Sequence, residues 1–544
     1  MQKTTGRHFL LFLVSPCRIS FGWLPLALCV VGWCFAIFVL RPTVGISDIL
    51  VAEQMTSGVY TDWYAPIHAA TFRLLIQFQE RFGIHSSFRG LPYLCYVTVL
   101  WIGLFLVLCP RSCFWSSTAT KPWWMVLAFL FALLTVWSNL VIFSKSTSNC
   151  YWNLAAYLLA VGLLLNMPKR PVPKIIVAAI TLFFLYYGTA LRHNLVLALF
   201  PLLCWLVWHF CRPSLLRRIS PAAVIIVVAT VLWSSYVFLN HYVNYTVLKT
   251  YQMCVLQERY YADIFMLNFY APHNYKNPPN TFGNNFDDLS KELFLKKYDS
   301  SLLHAQHAFE RINDALPKKL SFLKEFVKVL PEQQFLELKS TTLYFHEETG
   351  TLNSTPSLLT MTALNEREVL EQFPKDYVVL RTAWLDRIAQ DPLMYVRIKA
   401  FWWLRTMLLG RTSAGRGLGP DWFPPEFFPI RLASGGIANS FTMFCVMALL
   451  CVYTFSSRRL EPQIFPFLML AWSAVLTCLP LVLFVPDDLF RYQFYFFAAS
   501  FIALSFFLAH SPLFAAMLQT LQQYLRQGLS AEPKMEDGTA KPEK

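Results

Sequence analysis

Two carboxylates carry the most chemistry in this chain. Asp48 and Asp62 lie in a polar segment, Ser47-Asp48-Ile49 through Thr61-Asp62-Trp63-Tyr64-Ala65-Pro66, directly after the first long apolar run. An acid at a membrane face can take a proton from an acceptor hydroxyl or help hold a divalent cation. A lipid-linked substrate suits that place, because its tail stays in the bilayer while its headgroup reaches the acids. The same acids also read as a helix cap or as solvated loop residues; Trp63 and Tyr64 are substrate-contact candidates that also read as interfacial anchors.

Cations recur at the same level. Arg192 lies in Leu191-Arg192-His193-Asn194 between two apolar runs, and Arg491 in Pro486-Asp487-Asp488-Leu489-Phe490-Arg491-Tyr492 beside the last one. A guanidinium offers forked donors that grip a phosphate. Arg192 reads equally as a snorkelling side chain, and Arg491 as a partner of Asp487 or Asp488. Lys145 is a weaker third cation. His68 and His193 stand near these groups as substrate-contact candidates but lack metal-ligand spacing. There is no Walker loop, GxGxxG or GxSxG, so nothing points to nucleotide, dinucleotide or serine-hydrolase chemistry. No cofactor is demanded by a motif; the one candidate is a divalent cation on Asp48 and Asp62.

A membrane-embedded helical bundle must position these residues. With 56% hydrophobic residues, 14% charged and a mean hydropathy of +0.43, the chain lies far from a soluble balance. Runs near the roughly 20-residue crossing length fall at 21–40, 90–109, 122–143, 150–166, 173–190, 194–211, 220–240, 434–455, 463–485 and 490–510, about ten spans. The expectation is an all-α membrane protein with a short outer loop and a large, mostly helical outer domain. Lys3, Arg7, Arg18, Arg111, Lys121, Lys169, Arg170, Lys174, Arg212, Arg217, Arg218, Arg458 and Arg459 all fall in alternate connections. Positive residues stay on the cytoplasmic side, which predicts cytoplasmic termini and puts the acids on the outer side. Much of the net charge of +14 then serves topology and lipid headgroups, and no nucleic-acid partner is called for.

The chain divides into a cytoplasmic segment (1–20), seven spans (21–241) with an outer loop at 41–89, a large outer region (242–433), three spans (434–510) and a cytoplasmic tail (511–544). Within the outer loop, Ile67, Ala70, Leu74, Leu75 and Phe78 recur at helical spacing opposite Arg73, Gln77, Glu80 and Arg81, predicting a surface-lying helix over 66–82. Basic and aromatic residues over 395–409 predict a second interfacial helix. Cys29, Cys34, Cys204, Cys445, Cys451 and Cys478 fall inside spans as packing residues, whereas Cys150 and Cys254 lie where a disulfide is chemically permitted. Asn244-Tyr245-Thr246 and Asn353-Ser354-Thr355 are sequon-like, which matters only in a eukaryotic host.

Taken in order, these segments resemble the GT-C superfamily of multispan glycosyltransferases, which includes bacterial aminoarabinose transferases and protein mannosyltransferases. Ser47-Asp48 followed by Gly58-Val59-Tyr60-Thr61-Asp62-Trp63-Tyr64-Ala65-Pro66 looks like the family's first-loop pattern. Leu191-Arg192-His193-Asn194 is similar to its Arg-x-Asn at a span mouth, and Asp488-Leu489-Phe490-Arg491-Tyr492 to its Arg-Tyr before a final span. Asp391-Pro392-Leu393-Met394-Tyr395-Val396-Arg397 resembles the segment that returns the large loop to the membrane. Tyr64-Ala65-Pro66 departs from a common His-Pro-Pro, and Lys145-Ser146 from a common Lys-Asp, so cation dependence stays open.

The resemblance implies transfer of a sugar from a polyprenyl-phosphate donor to a lipid, glycan or protein acceptor at the periplasmic face of a bacterial inner membrane. It implies Asp48 and Asp62 as catalytic carboxylates, Asp48 as base on the acceptor hydroxyl with Asp62 assisting through orientation or a cation, and Arg192, Arg491 and Lys145 as phosphate contacts. A polysaccharide polymerase or O-antigen-ligase-like enzyme, or a lipid or glycan transporter, are the alternatives.

Overall fold

The computed structural model describes residues 23–38, 58–60, 62, 65–83, 90–108, 149–211, 221–251, 263, 267, 345–346, 351–352, 381–382, 384–409, 440–456, 465–484, 494–510, 520 and 523. These segments are helical, apart from connections and a two-residue antiparallel pairing of Phe345–His346 with Thr351–Leu352. The helices are α1 (Trp23–Phe38), α2 (Pro66–Arg81), α3 (Leu91–Leu108), α4 (Asn149–Leu165), α5 (Pro171–Ala190), α6 (Val196–Trp208), α7 (Pro221–His241), α8 (Pro392–Leu409), α9 (Ser440–Ser456), α10 (Phe465–Phe484) and α11 (Phe494–His510). Among the described residues three helices, Leu91–Leu108, Pro171–Ala190 and Ala222–Val247, are long and apolar enough to cross a membrane; five shorter apolar helices accompany them.

Local chemistry sets the helix ends. Proline opens α2 and α5, where the missing N–H costs no internal hydrogen bond. Pro201 and Pro480 stand inside α6 and α10, as neighbours in an apolar bundle can tolerate.

The direction of each helix follows from its side-chain contacts. A methyl group on Gly103 would come within 2.6 Å of the Leu159 backbone nitrogen, and one on Gly162 within 2.6 Å of Leu106 Cβ. Small residues here let α3 and α4 approach at backbone distance. Asn166 Nδ2 donates to Leu106 C=O at 2.7 Å, and Tyr96 meets Trp152 with ring centroids 5.7 Å apart. These pairs run in the same order along both chains, so α3 and α4 are parallel. Leu108 and Asn149 therefore lie at opposite ends of the pair; the run expected at 122–143 lies outside the described residues.

The next helices alternate. Asn153 Nδ2 donates to Gly188 C=O (2.6 Å), setting the start of α4 beside the end of α5. Lys174 Nζ donates to His209 C=O, joining the start of α5 to the end of α6. Trp233 Nε1 donates to Val196 C=O (2.8 Å), so α7 finishes near the start of α6. Trp208 stacks on Phe465, which runs α10 back alongside α6.

Hydroxyls bind the middle of the bundle. Thr189 Oγ1 donates to Leu185 C=O, so Tyr157 donates to Thr189 (2.7 Å). By the same logic Ser473 donates to Ala198 C=O and Tyr495 donates to Ser473 (2.7 Å). The Tyr157 and Tyr495 rings stand 4.4 Å apart, joining α4, α5, α6, α10 and α11.

Two elements differ from the sequence reading. In α2 the buried face is Pro66, His68, Ala69, Phe72 and Gln79, while Leu74 and Phe78 of the expected apolar stripe are more than half exposed. The helix is apolar on two sides, and the tight aromatic contact with Trp152 decides which one faces the bundle. The helix α8 is docked on α9 and α10, with Trp403 edge-on to Phe444 at 5.1 Å. Its Lys399, read as interfacial, is buried and paired with Asp263 at 2.6 Å.

Candidate functional site

The site is built on the loop that carries Asp62. Gly58 takes φ +73°, which only glycine adopts cheaply, and the Arg73 guanidinium from α2 lies against it where a side chain would stand. Tyr60 is buried, and its carbonyl accepts the Tyr251 N–H at 2.8 Å. The Asp62 N–H donates in return to Tyr251 C=O at 3.1 Å. With Tyr251 donating to one residue and accepting from the residue two further on, this is a single bridge of the parallel kind between the first loop and the chain leaving α7.

Tyr251 reaches the loop through an irregular helix end. After His241 the chain widens into a π-helical turn, Tyr242–Val247. Lys249 then takes φ +50°, costly for a residue with a Cβ, and Thr250 N–H returns to Asn244 C=O at 3.0 Å. The wider turn brings the Tyr245 hydroxyl to the loop, where it donates to Asp62 Oδ2 at 3.3 Å. His241 packs its ring 4.8 Å from that of Tyr245. Asn244, of the sequon-like triplet, is buried and directs its amide to Asn240 Oδ1 at 3.3 Å, so its side chain faces the protein.

Below this junction the exposed face of α7 itself, Trp233, Ser234, Val237, Phe238 and His241, borders an open, shallow groove of about 440 Å³. The lining is mostly apolar at the foot and ends in the His241 imidazole, one side chain away from Asp62.

Arg192 sits at the same end of the bundle. It follows α5, where its N–H donates to Thr189 C=O (3.0 Å) and its C=O accepts Leu195 N–H (3.1 Å) from the short 3-10 turn His193–Leu195. Contacts link α2 to this turn: His68 and Phe72 of α2 meet Trp152, and the neighbouring Asn153 holds Gly188, four residues before Arg192.

His68 is fully buried, with ring centroids 4.7 Å from Phe72 and 6.0 Å from Trp152. That makes it a packing residue holding α2 on the bundle, and the substrate contact expected of it is not what its position offers. The backbone of His193 lies in the 3-10 turn beside Arg192; its side chain, and Asp48, Trp63, Tyr64, Lys145 and Arg491, lie outside the described residues, as do Cys254 and the Cys150 side chain. Among the described residues no group of three or more His, Cys, Asp or Glu converges to hold a metal ion. Arg73 and Tyr245 were missed by sequence reasoning. Arg73 had looked like one charge on a solvated helix face, and Tyr245 is 183 residues from the acid it meets.

Compared with known proteins, the chain matches no family model, no curated protein and no solved structure.

Proposed function

We propose that this protein is a ten-span membrane glycosyltransferase of the GT-C kind, moving a sugar from a polyprenyl-phosphate donor to a lipid, glycan or protein acceptor. In this reading it lies in a bacterial inner membrane with both termini cytoplasmic, and residues 242–433 form a periplasmic region that selects the acceptor. The observation that carries the proposal is that the Asp62 loop with its Tyr245 contact, the Arg192 turn and the head of the α7 groove all lie at one end of the bundle.

The chemistry is a single displacement. Asp48 takes the proton of the acceptor hydroxyl as its oxygen bonds to the anomeric carbon from the face opposite the phosphate. The bond from that carbon to the phosphate oxygen breaks, and polyprenyl phosphate departs with the electron pair. Asp62, held by Tyr245, orients the acceptor, while Arg192 and Arg491 neutralise the departing phosphate. The donor tail follows Val237 and Phe238 along α7, so that its phosphate arrives beside His241.

Purified protein incubated with defined polyprenyl-phosphate sugars and an extract of envelope acceptors is expected to release free polyprenyl phosphate and form a glycosylated product, both visible by mass spectrometry. Passage of intact donor across a vesicle membrane, with no product, would instead make the protein a transporter.

A further inference from the structure

The π-helical turn Tyr242–Val247 closes the membrane-length apolar helix that starts at Ala222, and such wide turns are rare. Its effect is on register. The wide turn and the left-handed Lys249 together bring two things to the first loop: the Tyr251 backbone, which pairs with Tyr60 and Asp62, and the Tyr245 hydroxyl, which meets the Asp62 carboxylate. A strained backbone residue, a π-turn and a reciprocal backbone pair converge on one acid.

We propose that Tyr245 is the positioning residue of Asp62, and that the π-turn exists to present it. The proposal rests on the transferase reading for its catalytic consequence, though not for its geometry. A phenol donating to one carboxylate oxygen restrains the carboxylate plane. The donor also favours the charged form of the acid. Among the described residues, the other titratable groups on the elements meeting here are Tyr60 of the loop, His68, Arg73, Glu80 and Arg81 of α2, and His241, Tyr242, Lys249 and Tyr251 of the α7 end. None of these is altered by removing a single hydroxyl from Tyr245.

The test is Tyr245→Phe in the full-length protein, which keeps the ring packed on His241 and removes only the donor. Turnover is expected to fall about 10- to 100-fold, the worth of a hydrogen bond to a charged group, with the donor KM little changed. The acid side of the pH profile is expected to move to higher pH, because the carboxylate has lost a stabilising donor. In an Asp62→Asn background the same change is expected to have little further effect. A Tyr245→Phe protein with unchanged turnover and pH profile, or losses that simply multiply with those of Asp62→Asn, overturns the proposal.

Failure of the transferase reading is separable. If the wild type turns over no donor, infrared-detected titration of the carboxyl that disappears in Asp62→Asn still reads the contact. A midpoint raised by Tyr245→Phe supports the assignment, and an unmoved midpoint overturns it.

Discussion

Replacing Asp48 with Asn is expected to abolish sugar transfer while leaving expression and membrane insertion intact. The amide keeps the size of the carboxyl and loses its capacity to take a proton. General-base removal costs about 10²- to 10⁴-fold. Asp62→Asn should retain more activity, because an amide still orients a hydroxyl although it cannot accept the Tyr245 hydrogen bond in the same way. The comparison is made by product formation per milligram of purified protein, alongside a size-exclusion profile. An active Asp48→Asn enzyme removes the assignment of the base.

The second large effect is on stability. Asp263 and Lys399 form an ion pair of 2.6 Å with both side chains under one tenth exposed, and Trp384 Nε1 donates to the other carboxylate oxygen at 3.0 Å. Nearby, Arg387 Nη2 donates to Leu267 C=O at 2.8 Å. These contacts fasten the chain just beyond α7 to the turns that precede α8 and to α8 itself. Lys399→Met keeps the aliphatic stem and leaves the Asp263 carboxylate buried without its cation, at a cost of about 3–5 kcal/mol. The thermal midpoint in detergent should fall by several degrees, with an added aggregate peak. Lys399→Met combined with Asp263→Leu should recover most of the loss, since an apolar pair needs no compensating charge. A single variant as stable as wild type would make the pair a spectator.

How much of this was legible in the sequence depends on the range of the interaction. The helices were, because a run of apolar residues near the crossing length is a local signal: 220–240 became Pro221–His241, and 463–485 became Phe465–Phe484. The surface helix was found, but its packed face was not. Phe72 and Leu74 are both apolar, and only the position of Trp152 on α4 chooses between them. Lys399 was placed at an interface from its aromatic neighbours, since nothing local announces an acid 136 residues away. The candidate site divides the same way. Asp62 and Arg192 were singled out by residue type at the ends of apolar runs, while Arg73 and Tyr245 act through contacts that no spacing reveals. Gly58 was noticed as part of a pattern; its positive φ and the guanidinium lying against it give that pattern a physical cause.

The central claim is that a lipid-linked phosphate binds at the end of the bundle that carries the Asp62 loop, Arg192 and the head of the α7 groove. Photo-crosslinking tests it most directly, using a polyprenyl phosphate with a photoreactive group on the isoprene next to the phosphate. The full-length protein in lipid vesicles would be illuminated and its adducts located by peptide mass spectrometry. Adducts are expected on residues 233–245 and on the 186–195 segment, with competition by unlabelled polyprenyl phosphate. Adducts confined to the opposite end, around Lys174 and His209, or labelling that the competitor leaves unchanged, would contradict the account.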